Sequence, residues 1–513
     1  MDWKSIARAK KLLAEEEGTI YKDWGGKLAI ALIYPNTYYV GMSSLGLQSL
    51  YRLFNFSEDT VCERFFYEGQ AVISLESQRP LEDFTLLAFT LSYEMDYFNL
   101  VDILHRAGIP LLASERDESH PLIIAGGPAI TANPEPLVPL IDAIAIGEGE
   151  VIVPPLIEAL KETVSSGKEK ALESLSRIPG LYVPILHSPS SIPHSPIPRQ
   201  WVRDLDAHPT ATVVLTKDTE FRDMYLIEIS RGCGRGCRFC LAGRAYQPVR
   251  ERSPEAILSW AKEGLHHRER IGLVSAAVSD YSRIEELVEG LRGMGAKVAV
   301  SSVRIDSLSE SLVRALAESG TKTLTLAPEA GSESLRRAIN KRISEGEIIH
   351  AAELAAQHKI PHLKLYFMLG LPGESEEDVR AIVELVREIK RHFPGQITVN
   401  VAPFVPKAHT AFERAAMARQ EVLESRLRYL RRGLKSQEKV ALRGESPAWA
   451  RVQGVLSRGD RRVGLAIVKW AEMKGRSLST WRRAMRESGL EEEDYLGERA
   501  PDEVLPWKEA VRF

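Results

Sequence analysis

The sequence predicts an α/β protein: a Rossmann-like (flavodoxin-like) module, then a partial (β/α)6 barrel, then a mostly helical C-terminal region. Three observations predict it. Short apolar runs alternate with stretches of helical periodicity, and this happens twice along the chain. Such alternation, with strands apolar throughout, means parallel sheets covered on both faces. A Ser/Pro-rich stretch, HSPSSIPHSPIPRQ, separates the two series. Beyond about residue 411 the strand pattern gives way to Arg-rich helical sequence such as SRLRYLRRGLKSQEK.

Bulk properties narrow the class. A chain of 513 residues has room for two or three domains, and 44% hydrophobic residues supply large cores. The formal net charge of -3 carries no global signature of polyanion binding. No apolar run reaches the roughly 20 residues that span a membrane. The opening MDWKSIARAKKLLAEEEG is charged and lacks a signal-peptide core, so the expectation is a cytoplasmic protein with no membrane partner. Of four cysteines, three fall within eight residues, which suits a metal site better than a disulfide framework.

The elements follow in order. Residues 1–26 read as an amphipathic leader helix. The Rossmann module spans 27–160, with strands expected at Leu28–Tyr34, Ala71–Leu75, Thr85–Thr90, Leu122–Ala125 and Ala143–Ile146. Residues 161–215 read as a connector, a short helix followed by the Ser/Pro-rich stretch, whose composition disfavours helix and suits an extended linker. The barrel occupies 216–410, with strands at Tyr225–Ser230, Gly272–Val278, Val298–Val303, Thr323–Leu326, Leu363–Leu369 and Ile397–Val401. The helical region covers 411–513.

The first barrel strand runs into RGCGRGCRFC, which places Cys233, Cys237 and Cys240 in a C-x-x-x-C-x-x-C spacing. Three thiolates on one short loop suit three irons of a 4Fe-4S cluster, leaving the fourth iron open. Gly232, Gly234 and Gly236 let the backbone fold tightly around the metal. A loop after the first strand lies at the C-terminal mouth of the barrel, where active sites on such folds sit. A zinc site lacking its fourth ligand is the bland alternative.

The motif, with Phe239 before its last cysteine and six βα units around it, resembles the radical S-adenosylmethionine superfamily over about residues 222–410. The resemblance implies that S-adenosylmethionine chelates the open iron through its amino and carboxylate groups. It implies reductive cleavage to a 5′-deoxyadenosyl radical, with an electron donor such as flavodoxin or ferredoxin. Further positions match the superfamily's cofactor landmarks. Asp280 follows the second strand in SAAVSD, where a Gly-Gly-Glu is common. Ser302 and Arg304 end the third strand, and an Arg there suits the methionine carboxylate. Glu329 lies in APEAGSE, similar to the ribose-binding segment, and MLGLPGES resembles the adenine-side turn. Strand-end polarity is the plain alternative for each.

In the N-terminal module, LSYEMDYF, AGGPAIT and IGEGE follow strands, and YPNTYYVGMSSLG follows the first. They resemble the cobalamin-binding domains fused ahead of many radical S-adenosylmethionine enzymes. The resemblance implies cobalamin across the strand ends, near Tyr38, Ser92, Gly126, Gly127 and Gly147. The first loop lacks the His that ligates cobalt in many such domains. A module kept for packing or substrate docking is the alternative. VQGVLSRGDRRVG and ERAPDEVLPW extend the resemblance to a bacterial group of such proteins.

Three functions compete. The first is a radical S-adenosylmethionine methyltransferase that uses cobalamin to methylate an unactivated carbon. The second modifies RNA or a ribosomal component by radical chemistry without cobalamin. The third is a non-catalytic iron-sulfur assembly or sensing protein. Methylthiotransferases need a second cluster on three more cysteines, and only Cys62 remains, which reads as a buried hydrophobe. His409 at the barrel mouth reads as loop packing, with proton transfer as the sharper reading. The arginines of Arg458–Arg462 and Arg426–Lys435 read as solvated helix faces, with RNA phosphates as the alternative.

Overall fold

The computed structural model describes residues 3–69, 72–163, 166–186, 195–473 and 475–513. The chain forms two compact units. One comprises Met1–Asp223, Val455–Tyr495 and Asp502–Phe513; the other comprises Met224–Gly454 and Leu496–Pro501.

The first unit is built on strand β1, Leu28–Tyr34, whose seven residues LAIALIY are all buried. It pairs in parallel with β2, Thr60–Phe66, and with β3, Leu86–Thr90. The sheet continues through β4, Leu122–Gly126, and β5, Ala143–Ala145, and closes with an antiparallel β6, Leu181–Tyr182. The order β2-β1-β3-β4-β5 is flavodoxin-like, with its switch point between β1 and β3. Leu28, Ile30, Leu32 and Tyr34 share one core with Leu47, Tyr51 and Phe54 of helix Leu45–Phe54 and with Ile152, Val153 and Leu156 of helix Gly149–Thr163.

The second strand departs from expectation. Ala71 lies outside the described residues, and Ile73 makes only an isolated bridge to Pro80. The strand is TVCERFF, at Thr60–Phe66. Its two charges broke the apolar pattern, yet both are buried with partners. Arg64 and Glu16 are 1% and 0% exposed and 2.6 Å apart, and Arg64 Nε lies 2.7 Å from Glu76 Oε1. Glu63 accepts Trp24 Nε1 at 2.8 Å and Ser77 Oγ at 2.6 Å. These bonds strap the segment after the first helix, Trp3–Ala14, along the outer strand. Cys62 faces the core of this unit, and burial pushes its thiol up.

The stretch expected as a short helix and an extended connector also carries two short strands. Helix Lys168–Ser176 leads into β6, and β7, Ile197–Pro198, pairs with the terminal strand Val511–Arg512. Residues 187–194 of the Ser/Pro-rich stretch lie outside the described residues. The RGDRR arginines are structural here. Arg458 is fully buried and donates to the Tyr495 carbonyl at 2.8 Å. Arg461 pairs with Glu135 at 2.8 Å and donates to the Tyr182 hydroxyl at 2.8 Å. The Asn133 amide donates to the carbonyls of Ser457 and Gly459 at 3.2 and 2.8 Å. Trp470 and Trp481 pack on Phe98, with ring centroids at 4.5 and 5.3 Å.

The second unit begins with β8, Met224–Glu228, followed by a short antiparallel ribbon of β9, Ser230–Arg231, and β10, Arg250–Glu251. β8 pairs in parallel with β11, Arg270–Val274, which pairs with β12, Lys297–Val300. A second parallel set runs β13, Thr323–Glu329; β14, His362–Leu369; β15, Gln396–Pro403; and β16, Val440–Gly444. The six expected strands are present. The seventh, VALRG, lies in the stretch read as helical, because its short edge run follows the Arg-rich helix Gln420–Leu434. In that helix Leu423, Leu427, Leu430 and Leu434 are buried, at helical spacing. After Gly444 the chain is mostly helical, through Pro447–Arg458, Arg461–Glu472 and Leu478–Glu487.

Candidate active site

The three clustered cysteines sit on the loop that leaves β9, and all three thiols are partly exposed. Glu228 anchors the loop's base. Its carboxylate takes Arg231 at 2.9 Å and Arg252 at 2.5 Å. Those two cations overcome burial and hold it below the usual glutamate range. Gly232 is required by geometry: its φ is +98, and an added Cβ would lie 2.5 Å from the Tyr246 carbonyl oxygen.

Four contacts then fix the loop's course. Gln247 Nε2 donates to the Cys233 carbonyl at 2.8 Å. Asn340 Nδ2 donates to the carbonyls of Arg235 and Gly236 at 3.2 and 2.9 Å. The Arg238 amide donates to the Ile339 carbonyl at 3.0 Å. Phe239 packs against the cluster of Ala330, Leu335, Ile339, Leu371 and Phe404, so the aromatic residue of the motif is a peg that seats the loop.

The donor set fits an iron-sulfur cluster. Burial pushes the Cys240 thiol up, backbone N–H groups of Gly243 and Ala242 pull it back, and negative charge on Cys237 and Cys233 raises it again. Three thiolates this close oppose one another, and cationic iron relieves that opposition. Hydrogen bonds from backbone N–H to a ligating sulfur also tune such a cluster. Among the described residues no three Cys, His, Asp or Glu side chains converge on a single-ion site.

Beside the loop lies a network of two arginines and two aspartates. Arg235 donates to Asp280 at 2.8 and 2.5 Å and to Asp306 at 3.2 Å. Arg304 grips Asp306 through two bonds of 3.0 Å, and Ser307 Oγ donates to Asp280 at 2.7 Å. Burial would raise Asp280, but Arg235 and Ser307 hold its carboxyl below the usual range. Arg304 grips the same Asp306 that Arg235 of the cysteine loop reaches, which places that guanidinium near the loop. Of these five residues, Asp280 and Arg304 stood out in the sequence, whereas Arg235, Asp306 and Ser307 did not. Arg235 stands between two cysteines of the motif, and Asp306 ends the same polar strand-end run as Arg304, so both signals were present.

The remaining positions fall into place around this network. Ser302 Oγ donates to the Ser275 carbonyl at 3.0 Å, which ties the two strand-end loops together. Glu329 closes β13 with φ +70, a left-handed conformation costly for a residue with a Cβ. Burial raises its carboxyl, while Lys341 at 3.1 Å and then Arg304 pull it back. His409 also has positive φ, and its amide donates to Glu413 at 2.9 Å, within a loop after β15.

In the first unit the five strand-end positions differ in availability. Ser92 is exposed. Tyr38 is 1% exposed, and its hydroxyl donates to Glu16 at 2.6 Å. Gly127 has φ +114, and a Cβ there would lie 2.5 Å from the Leu91 carbonyl oxygen. A Cβ on Gly147, φ +134, would lie 2.3 Å from the Gln200 carbonyl oxygen, across a parallel bridge. A Cβ on Gly126 would come 3.3 Å from that of Ala145. The module's own backbone packing therefore accounts for Gly127 and Gly147. A cavity of about 540 Å³ opens at the ends of β1 and β2, lined by Asn36, Thr37, Tyr39, Tyr67 and Asn99 among others.

Comparison with known proteins agrees with this architecture. Residues 46–184 match the N-terminal domain family of radical SAM proteins, and residues 227–386 match the radical SAM superfamily. An uncharacterized protein of Methanocaldococcus jannaschii is 30% identical over 85% of this chain and 89% of its own length. An uncharacterized methyltransferase of Pyrococcus horikoshii is 24% identical over 52% of this chain and 58% of its own. The cobalamin-dependent radical enzyme OxsB, solved with aqua-cobalamin and S-adenosylmethionine, shares the fold over 70% of this chain at a TM-score of 0.52 and 15% identity. This chain spans about half of OxsB, at 52% of that chain. The chain belongs to the radical S-adenosylmethionine superfamily. It is a radical SAM enzyme, a class whose cofactors are an iron-sulfur cluster and S-adenosylmethionine. No described helix is long and apolar enough to cross a membrane.

Proposed function

We propose that this enzyme methylates an unactivated carbon, using a 4Fe-4S cluster on Cys233, Cys237 and Cys240, S-adenosylmethionine beside it, and cobalamin in the N-terminal module. The observation that carries the radical part is the seated cysteine loop with the Arg235–Asp280–Arg304–Asp306 network next to it. The cobalamin part is supported by the flavodoxin-like module ahead of the barrel and by the fold shared with OxsB, a cobalamin-dependent radical enzyme. The name of the Pyrococcus relative supports the methyl-transfer part.

When bound, the cluster supplies the electron that cleaves S-adenosylmethionine. The chain's own residues position that molecule. Asp280 and Asp306 present carboxylates for its ammonium group, and Arg304 presents a guanidinium for its carboxylate. Glu329, held by Lys341, offers a carboxylate to the ribose hydroxyls. One observation favours the cobalamin-free alternative: Tyr38, Gly127 and Gly147 are already engaged by the module itself.

Anaerobic reconstitution decides between them. The expected result is about four irons per chain, 5′-deoxyadenosine on reduction with S-adenosylmethionine, and tight binding of added cobalamin seen by absorbance. A cluster-replete sample that makes 5′-deoxyadenosine and ignores cobalamin would retire the methyl-transfer reading and keep the radical one.

A further inference from the structure

The sheet β13–β16 has two unlike faces. On one, Leu324, Leu326, Leu363, Leu365, Phe367, Ile397, Val399 and Val401 are at most 2% exposed. Their alternates point the other way. Parallel pairing puts Tyr366, Asn400 and Arg443 in one row across three strands, because Tyr366 opposes Asn400 and Asn400 opposes Arg443. Two residues earlier on β14 stands Lys364, and two before it His362.

This second face is polar and cationic. Tyr366 is 37% exposed, and the Lys364 ammonium lies 5.3 Å from its ring centroid. His362 is satisfied between Thr323 Oγ1 at 3.1 Å and Thr398 Oγ1 at 2.9 Å. After burial, the charges that lower its ring are Lys364 and then Arg443, so both cations lie within electrostatic reach of His362. Among the described residues neither Lys364 nor Arg443 forms an ion pair. Between the cations, the Asn400 Nδ2 group is buried without an acceptor. Two uncompensated cations, a buried donor with nothing to donate to, and an exposed aromatic ring describe a surface shaped for an absent anion.

We propose that this face seats a single-stranded nucleic-acid segment as the enzyme's substrate, with Lys364 and Arg443 on phosphates, Asn400 donating between them, and Tyr366 stacked on a base. Neighbouring strands lie about 4.8 Å apart, so the two cations, two strands and two residues apart, bracket a span of adjacent nucleotides rather than one small anion. A ring beside a cation suits a base beside its phosphate, whereas an acidic peptide would leave the ring without a role. The inference rests on the barrel being the seat of the radical chemistry. It does not depend on cobalamin.

The test uses the full chain with its cluster reconstituted. Fluorescence anisotropy follows a labelled single-stranded RNA of about 12 nucleotides, a length within single-strand site sizes. A DNA of the same sequence and a polyglutamate peptide of equal charge run beside it. Binding of RNA or DNA is expected, and the tighter of the two names the source. The logarithm of affinity should fall with the logarithm of salt at a slope of about -1.4 for two phosphate contacts on a single strand. Lys364→Gln with Arg443→Gln should flatten that slope and weaken binding by roughly tenfold or more. Tyr366→Ala should weaken it roughly tenfold, and Tyr366→Phe should restore it. Nucleic-acid affinity unmoved in all three variants overturns the proposal, as does peptide binding that equals the RNA and falls with the same variants. If a variant misfolds, the salt slope of the unaltered chain still decides: a slope near zero overturns it. Because binding is read rather than turnover, a chain that binds RNA here and ignores cobalamin keeps this inference and loses the methyl-transfer reading.

Discussion

Arg235, between the first two cysteines of the motif, holds Asp280 of the next strand-end loop in a two-pronged pair, with Nε 2.8 Å from Oδ2 and Nη2 2.5 Å from Oδ1. The cysteine loop and the strand-end loops that carry Asp280 and Asp306 are thereby one electrostatic unit. Asp280→Ala should leave Arg235 without its main partner and remove one acceptor for the methionine ammonium. We expect S-adenosylmethionine to bind the cluster-loaded protein roughly tenfold more weakly, about 1.4 kcal/mol. Isothermal titration measures it; an unchanged affinity would take Asp280 out of the site.

Replacing Cys233, Cys237 or Cys240 with Ala should abolish the cluster, whereas Cys62→Ala should leave it intact. Cys62 is 1% exposed, on β2 of the first unit, and its thiol is pushed up by burial, so it is neither placed nor charged for iron. Iron and sulfide analysis reads the outcome. About eight irons per chain would contradict a single four-iron cluster.

Asn340 is a positioning residue for the cluster loop, through its two bonds to the Arg235 and Gly236 carbonyls. Each such bond contributes about 1 kcal/mol. Asn340→Asp keeps the shape and removes the donors. It should shorten the cluster's lifetime under chelator several-fold while lowering the melting temperature of the apo chain by no more than about 4–8 °C, the shift that about 2 kcal/mol gives in a unit of this size. A lifetime equal to that of the unaltered protein would show that the loop holds itself.

How much of this was legible follows from where the signals were local. The cysteine loop, six barrel strands and β1 are continuous runs whose residues alternate or cluster in sequence, so they were readable. β2 was not, because Glu63 and Arg64 look like surface residues until Glu16, Trp24, Glu76 and Ser77 are brought to them by the fold. β16 was hidden by its brevity and by its Arg-rich neighbour. The RGDRR arginines read as a solvated helix face, yet Arg458 and Arg461 turn to the Tyr495 carbonyl and the Glu135 carboxylate of their own unit. Glycines before a helix suggested a ligand cradle, although at Gly127 and Gly147 the close neighbour is protein backbone. Pair partners distant in sequence are what a single chain cannot announce.

Asp96 offers a test of the strand-end loop LSYEMDYF that needs no cofactor. It is 3% exposed at the first turn of helix Asp96–Arg106 and accepts Asn36 Nδ2 at 2.9 Å. Burial raises its carboxyl to about 6, against the hydrogen bonds from Asn36 and Asn99 that lower it. A folded-state value above the unfolded one means the folded chain binds the proton more tightly. The resulting stability is complete below the unfolded value, near 3.8, and is lost as pH rises through about 6. At 1.36 kcal/mol per pH unit, the ionised carboxylate costs the folded state up to about 3 kcal/mol at pH 8. Asp96→Asn keeps the acceptor oxygen and removes the charge. Urea unfolding of the apo chain should therefore show the variant more stable than the parent at pH 8, by about 1–2 kcal/mol after partial relaxation, and the two alike below about pH 3.8. The parent should lose stability between about pH 4 and 6 where the variant does not. If the two curves stay parallel across that range, Asp96 is ionised in the folded chain at pH 5, and the loop is wetter than its burial implies.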